Sequence, residues 1–175
     1  MFFFRRPNPR GGKSGSRAAS GLLFLVLAAI GTYRGAADQN LVKYHNEFVL
    51  PVYSATVVHG WPQFVQELKG KDSTAESMAG YVKEKFLPQI EKFAKDAGDL
   101  TPPEFATDFH SRLSADLVRF AAEGRQLASA LENEDSDGIK RLLGEMRPII
   151  EDIDEGVADF QKRLKEQRDF KFEQH

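Results

Sequence analysis

"TPPEFATDFHSRLSADLVRFAAEGRQLASAL", residues 101–131, is the stretch on which the fold turns. Phe105, Phe109, Leu113, Leu117, Phe120, Gly124, Leu127 and Leu131 recur at spacings of three and four. That period places them on one face of a helix, so the pattern predicts a helix over 102–131 with a single buried stripe. Thr101 supplies an N-cap hydroxyl, Pro102 a first-turn proline and Glu104 a carboxylate three residues after the cap.

The same period recurs on both sides. Ile139, Leu142, Met146, Ile149, Ile153, Val157, Phe160 and Leu164 predict a last helix over 138–170, kinked at Pro148. Met78, Val82, Phe86, Ile90 and Phe93 predict a second helix that opens on the capping sequence Ser73-Thr74-Ala75-Glu76, bends at Pro88 and stops at Gly98. A first helix over 40–69 is less regular: Leu41, His45, Phe48, Val52, Thr56 and His59 form its stripe, Pro51 lies inside it, and Gly60-Trp61-Pro62 predicts a break.

Links of a few residues, at 70–72, 98–101 and 132–137, return each helix beside its predecessor. The expected fold is therefore all-α, an up-down four-helix bundle over 38–175, preceded by one N-terminal hydrophobic helix. Gly124 and Gly144 lie at similar distances from the last link, so close helix contact between them is expected.

The segment before Asp38 differs in kind. It holds six basic residues (Arg5, Arg6, Arg10, Lys13, Arg17 and Arg34) and no acidic one. All 26 acidic residues follow, against 18 basic ones, so 38–175 carries a formal charge of −8. An acidic body repels phosphates and anionic lipid surfaces, so nucleic acid is not an expected partner. The tail over 1–17, rich in Gly, Pro and Arg, is expected to be disordered, with Phe2, Phe3 and Phe4 at a membrane interface.

From Ala18 to Tyr33 sixteen uncharged residues lie between two arginines. As a helix they cover ~24 Å, against a hydrocarbon thickness of ~30 Å. The segment 18–37 thus reads as a signal-anchor whose flanking arginines reach the interface, or as a signal peptide cut near Ala37 after the small residues Gly35 and Ala36. Both readings leave the basic tail in the cytoplasm and the body outside it. The expected location is the cytoplasmic membrane with the body on the periplasmic side, or secretion to the periplasm after cleavage. An organelle transit peptide is a further alternative.

The chain has no cysteine, which excludes disulfides, thiolate metal sites and cysteine nucleophiles. It carries no phosphate-binding loop, G-x-S-x-G elbow, HExxH or GxGxxG. No catalytic residue and no cofactor is called for, and the chain is expected not to be an enzyme. Asn133-Glu134-Asp135-Ser136-Asp137-Gly138 resembles the start of a calcium loop, with Asn133, Asp135 and Asp137 as candidate ligands, but Gly144 stands where a bidentate glutamate is needed. Helix capping by the same residues is the competing reading.

Candidate cofactor residues are His45, His59 and His110, with Met78 or Met146 as the second ligand of a haem. A pocket using His45, Tyr53, His59, Trp61 and His110 is the alternative to the expected role, which is membrane-tethered protein–protein contact as an accessory subunit. At the C-terminus, Phe170 and Phe172 alternate with charged residues and are expected to pack back on the helix ends, with docking on another protein as the alternative.

Overall fold

A computed structural model describes residues 30–32, 38–68, 70, 74–168 and 170–173. Four helical rods, over 39–68, 75–99, 104–132 and 136–168, account for nearly all of them. Side-chain pairs set the directions. Gly60 and Phe64 meet Phe86, Glu91 meets Arg125, Phe109 meets Phe160, and Tyr53 meets Asp154. Second contacts along each pair, Phe64 with Tyr81, Lys83 with Glu132, Arg119 with Asp152 and His45 with Gln161, show the numbering rising on one rod as it falls on the other, so neighbours are antiparallel and the fourth rod closes against the first.

The expected stripes form the core. Phe109, Leu113, Leu117, Phe120 and Leu127 from the third rod and Leu142, Met146, Ile149, Ile153, Val157, Phe160 and Leu164 from the fourth are all buried. Phe64, Phe86 and Phe120 pack three rods through rings 5.0 and 5.5 Å apart.

The first rod is a relay of short pieces: α1 (Gln39–Tyr44), a π-helical turn (His45–Val49), α2 (Leu50–Tyr53), a second π turn (Ser54–Val58) and α3 (Gly60–Leu68). The second rod has the same device, with α4 (Ala75–Tyr81), a π turn (Val82–Phe86) and α5 (Leu87–Asp99). Two of the three wide turns have a proline as their cause. Leu50 N–H reaches the His45 carbonyl and Leu87 N–H the Val82 carbonyl, each five residues back, immediately before Pro51 and Pro88. A proline has no N–H and its ring crowds the carbonyl four residues earlier; widening the preceding turn makes room and lets the helix continue. At the remaining turn the Thr56 hydroxyl donates to the Val52 carbonyl, competing with the backbone ladder. Pro148 lies within an unbroken α7 (Ser136–Arg168).

Helix starts differ in detail from expectation. The cap of α4 is Thr74, paired reciprocally with Ser77, so the box sits one residue later than Ser73–Glu76. Thr101 does not cap the third rod, because Pro102 itself precedes a proline, Pro103, and is driven out of the helical region that a first helical residue needs. Pro103 is extended, Glu104–Ala106 make a 3₁₀ turn, and α6 spans Thr107–Glu132.

The two glycines expected to meet do not. A β-carbon on Gly124 would lie 3.2 Å from Leu87 Cδ1, on the second rod, whereas Gly144 faces open space. Counting residues from the turn fixes the level on a rod but not the side. Gly144→Ala is accordingly expected to raise stability by about 0.5–1 kcal/mol, read as a higher urea midpoint at unchanged slope.

At the base of the bundle, β1 (Ile30–Thr32) pairs antiparallel with β2 (Lys171–Glu173), Gly31 opposite Phe172. Helix is therefore not the conformation of the hydrophobic segment at these three positions. Ile30 and Thr32 are β-branched, and the alternation of Phe170, Lys171, Phe172 and Glu173 has the strand period. The remainder of the expected helix over 18–37 lies outside the described residues, as does the tail over 1–17. Phe170 packs back as expected: it is buried, and its ring meets His45 edge-on at 5.8 Å. Among the described residues no helix is long and apolar enough to cross a membrane.

Candidate functional site

The histidines occupy three different settings. His110 is buried, with Nε2 3.0 Å from the Ala97 carbonyl and Nδ1 3.0 Å from the Tyr44 hydroxyl. The carbonyl accepts only, so Nε2 carries the proton and Nδ1 accepts from Tyr44. That one ring links the first three rods. His45 is fully buried, its Nδ1 2.9 Å from Asn46 Oδ1 and its Nε2 3.3 Å from the Gln161 amide, joining the first rod to the fourth. His59 is exposed in a shallow cleft with Gln63, Tyr81 and Lys85. The three do not converge, and both nitrogens of His45 and of His110 are engaged within the fold.

The other residues of that alternative are also occupied. The Tyr53 hydroxyl donates to Asp154 Oδ1 at 2.7 Å, and Trp61 packs on Phe64 and Phe120. Met78 and Met146 are buried in the core. Burial pushes the Tyr44 and Tyr53 phenols up, and for Tyr53 the Asp154 carboxylate adds to the rise. Among the described residues no buried side-chain nitrogen or oxygen lacks a partner.

Burial holds His45 below the usual imidazole range, against an opposing bond from Asn46. The folded protein therefore binds this proton less readily than the unfolded chain. Stability from this residue is complete above about pH 6.5 and falls as acidification protonates the unfolded state first. Urea midpoints at pH 7.5 and 5.5 are expected to drop on acidification, and His45→Gln is expected to shrink that drop.

The loop over 133–138 is a helix–turn–helix junction. Asn133 Nδ2 donates back to the Ser129 carbonyl at 2.8 Å, Glu134 adopts a positive φ of 52°, and Asp135 Oδ1 accepts from Gly138 N–H at 3.0 Å. Asp137 pairs with Lys140 at 3.6 Å. Asn133 and Asp135 thus spend oxygen and amide groups on ending α6 and starting α7, the capping use of the motif. Among the described residues no three His, Asp or Glu side chains are placed to hold a metal ion.

What residue-by-residue reading missed is a groove of about 510 Å³ between α6 and α7. Its floor is apolar: Phe109 and Phe160 stack with parallel rings 4.2 Å apart, flanked by Leu113 and Ile153. Its rim is acidic, with Asp116, Asp152, Glu155 and Asp159 against Arg112 and Arg163. Arg119 straddles the first two carboxylates, 3.4 Å from Asp116 and 4.0 Å from Asp152. Burial and the Asp152 charge hold the Asp116 carboxyl above its usual range in spite of Arg119. The signal was present in the sequence: Asp152, Gly156, Asp159 and Arg163 step by four, three and four, beside the core stripe.

Comparison of the chain with protein-family models, with curated proteins and with solved structures finds no match.

Proposed function

We propose that this chain is a non-enzymatic helical bundle, carried to the extracytoplasmic side of a membrane by its hydrophobic segment and tethered there, that works through protein contact as an accessory subunit of a membrane assembly. The observation that carries this reading is the groove between α6 and α7, an apolar floor with an acidic rim on an otherwise self-satisfied bundle. Polar groups in the core are engaged in holding rods together, as with Tyr44, His110 and Ala97. The groove gathers four carboxylates and three guanidinium groups along one strip of surface, directly over the buried Phe109–Phe160 stack.

The basal ladder bears on the tether. Cleavage near Ala37 removes Ile30–Thr32 from their partner strand. The same residues serve the ladder and the apolar run. With the ladder formed, Ala18 to Ala29 remain, ~18 Å as a helix against ~30 Å of hydrocarbon. A full crossing therefore requires the ladder to open.

Purification of the full-length chain from native membranes in mild detergent, after crosslinking, tests the proposal. A stoichiometric membrane-protein partner is expected. Recovery as a lone monomer contradicts it, and so does a stoichiometric haem or metal ion found by absorbance and metal analysis.

A further inference from the structure

We infer that the groove between α6 and α7 receives a basic amphipathic segment of the partner protein, its Arg or Lys side chains meeting the Asp116, Asp152 and Asp159 rim and its apolar side chains lying over Ala115, Gly156 and the edge of Phe109. This rests on the contact function proposed above and names the surface and the chemistry of what it binds.

Three observations point to such a guest. The first is charge. The rim's four carboxylates stand against three guanidinium groups, Arg112, Arg163 and the Arg119 that spans two of them, and the body as a whole is acidic, so a cationic guest is attracted and an anionic one repelled. Arg119 already shows the contact, one guanidinium lying across two carboxylates. Burial and the Asp152 charge leave Asp116 incompletely compensated, and a second cation at the rim would favour its ionised form.

The second is the floor. Glycine inside a helix costs about 1 kcal/mol relative to alanine. Gly156 stands inside α7, yet close packing does not demand it: a β-carbon there would lie 3.9 Å from Phe109, an ordinary contact. Its effect is to leave the floor open. The third is shape. The groove runs between two antiparallel rods, and its volume suits several side chains laid along it rather than a whole domain.

The test uses ¹⁵N-labelled full-length protein, titrated with a 14-residue helical peptide of leucine and arginine and with a serine–arginine peptide of equal charge. The amphipathic peptide is expected to bind at least about 10-fold more tightly, with shifts confined to residues 109–119 and 152–163. Two variants are expected to weaken it at least about 10-fold. One is Asp152→Asn with Asp159→Asn, which removes rim charge. The other is Gly156→Leu, which fills the floor while replacing a helix glycine, so the fold is retained; circular dichroism verifies this. Glu91→Gln, on the second rod, is the control and is expected to bind as the parent does. Equal binding of the two peptides, shifts scattered over the acidic surface, or undiminished binding by Gly156→Leu would overturn the assignment. Such a result alongside a co-purifying partner leaves the contact function standing and removes only this surface; absence of any partner removes both.

Discussion

Phe120→Ala is expected to destabilise the protein by about 3–5 kcal/mol, the range for deleting a buried aromatic ring. Phe120 is fully buried on α6 and meets Phe86 at 5.5 Å and Trp61 at 6.2 Å, so its ring is shared by three rods. The neighbours cannot close the space it leaves, because each is fixed to a different rod and Phe86 is itself stacked on Phe64. With domain stabilities of about 5–15 kcal/mol, the loss is a large share of the whole. Urea unfolding followed by circular dichroism measures it. Val118→Ala, two residues away but 55% exposed, is expected to change stability by less than about 0.5 kcal/mol. A Phe120→Ala cost under about 1 kcal/mol would mean that the aromatic centre does not hold the rods together.

Gly60→Ala is expected to destabilise by about 3 kcal/mol, the upper range for forcing extra atoms into a closed site. A β-carbon there would run into the Ala55 carbonyl oxygen, a backbone atom that cannot rotate away. The wide turn over Ser54–Val58 brings that carbonyl against the start of α3. The same substitution at Gly144 is expected to act in the opposite direction, because nothing lies within 4 Å of that site. Side by side, the pair separates backbone crowding from helix propensity. Equal effects at the two positions would remove crowding as the explanation.

The helices and their order were legible because burial of one face imposes a period on the residues. The stripe from Phe109 to Leu131 and the one from Leu142 to Leu164 needed only counting, and short links then left one arrangement of neighbours. Less was legible wherever the outcome depended on rotation of one rod about its own axis. Gly124 faces Leu87 rather than Gly144 for that reason. The wide turns before Pro51 and Pro88 were half visible: proline announces a disturbance, but whether the helix ends, kinks or widens depends on what the rest of the rod packs against.

The candidate site was the least legible part. His45 and His110 stood out as residue types, yet their rings turn out to tie rods together through Gln161, Tyr44 and Ala97. Asp116, Asp152 and Asp159 lie off the apolar stripes that define the helices, and only the placement of α6 beside α7 collects them around the Phe109–Phe160 stack.

The proposed function rests on export of the bundle, and protease added to intact cells from which only the outer barrier has been removed tests that proposal most directly. The prediction is that the acidic domain is digested from outside while a cytoplasmic marker survives. A domain protected until the cytoplasmic membrane is broken, and then recovered with the soluble cytosolic proteins, would contradict it.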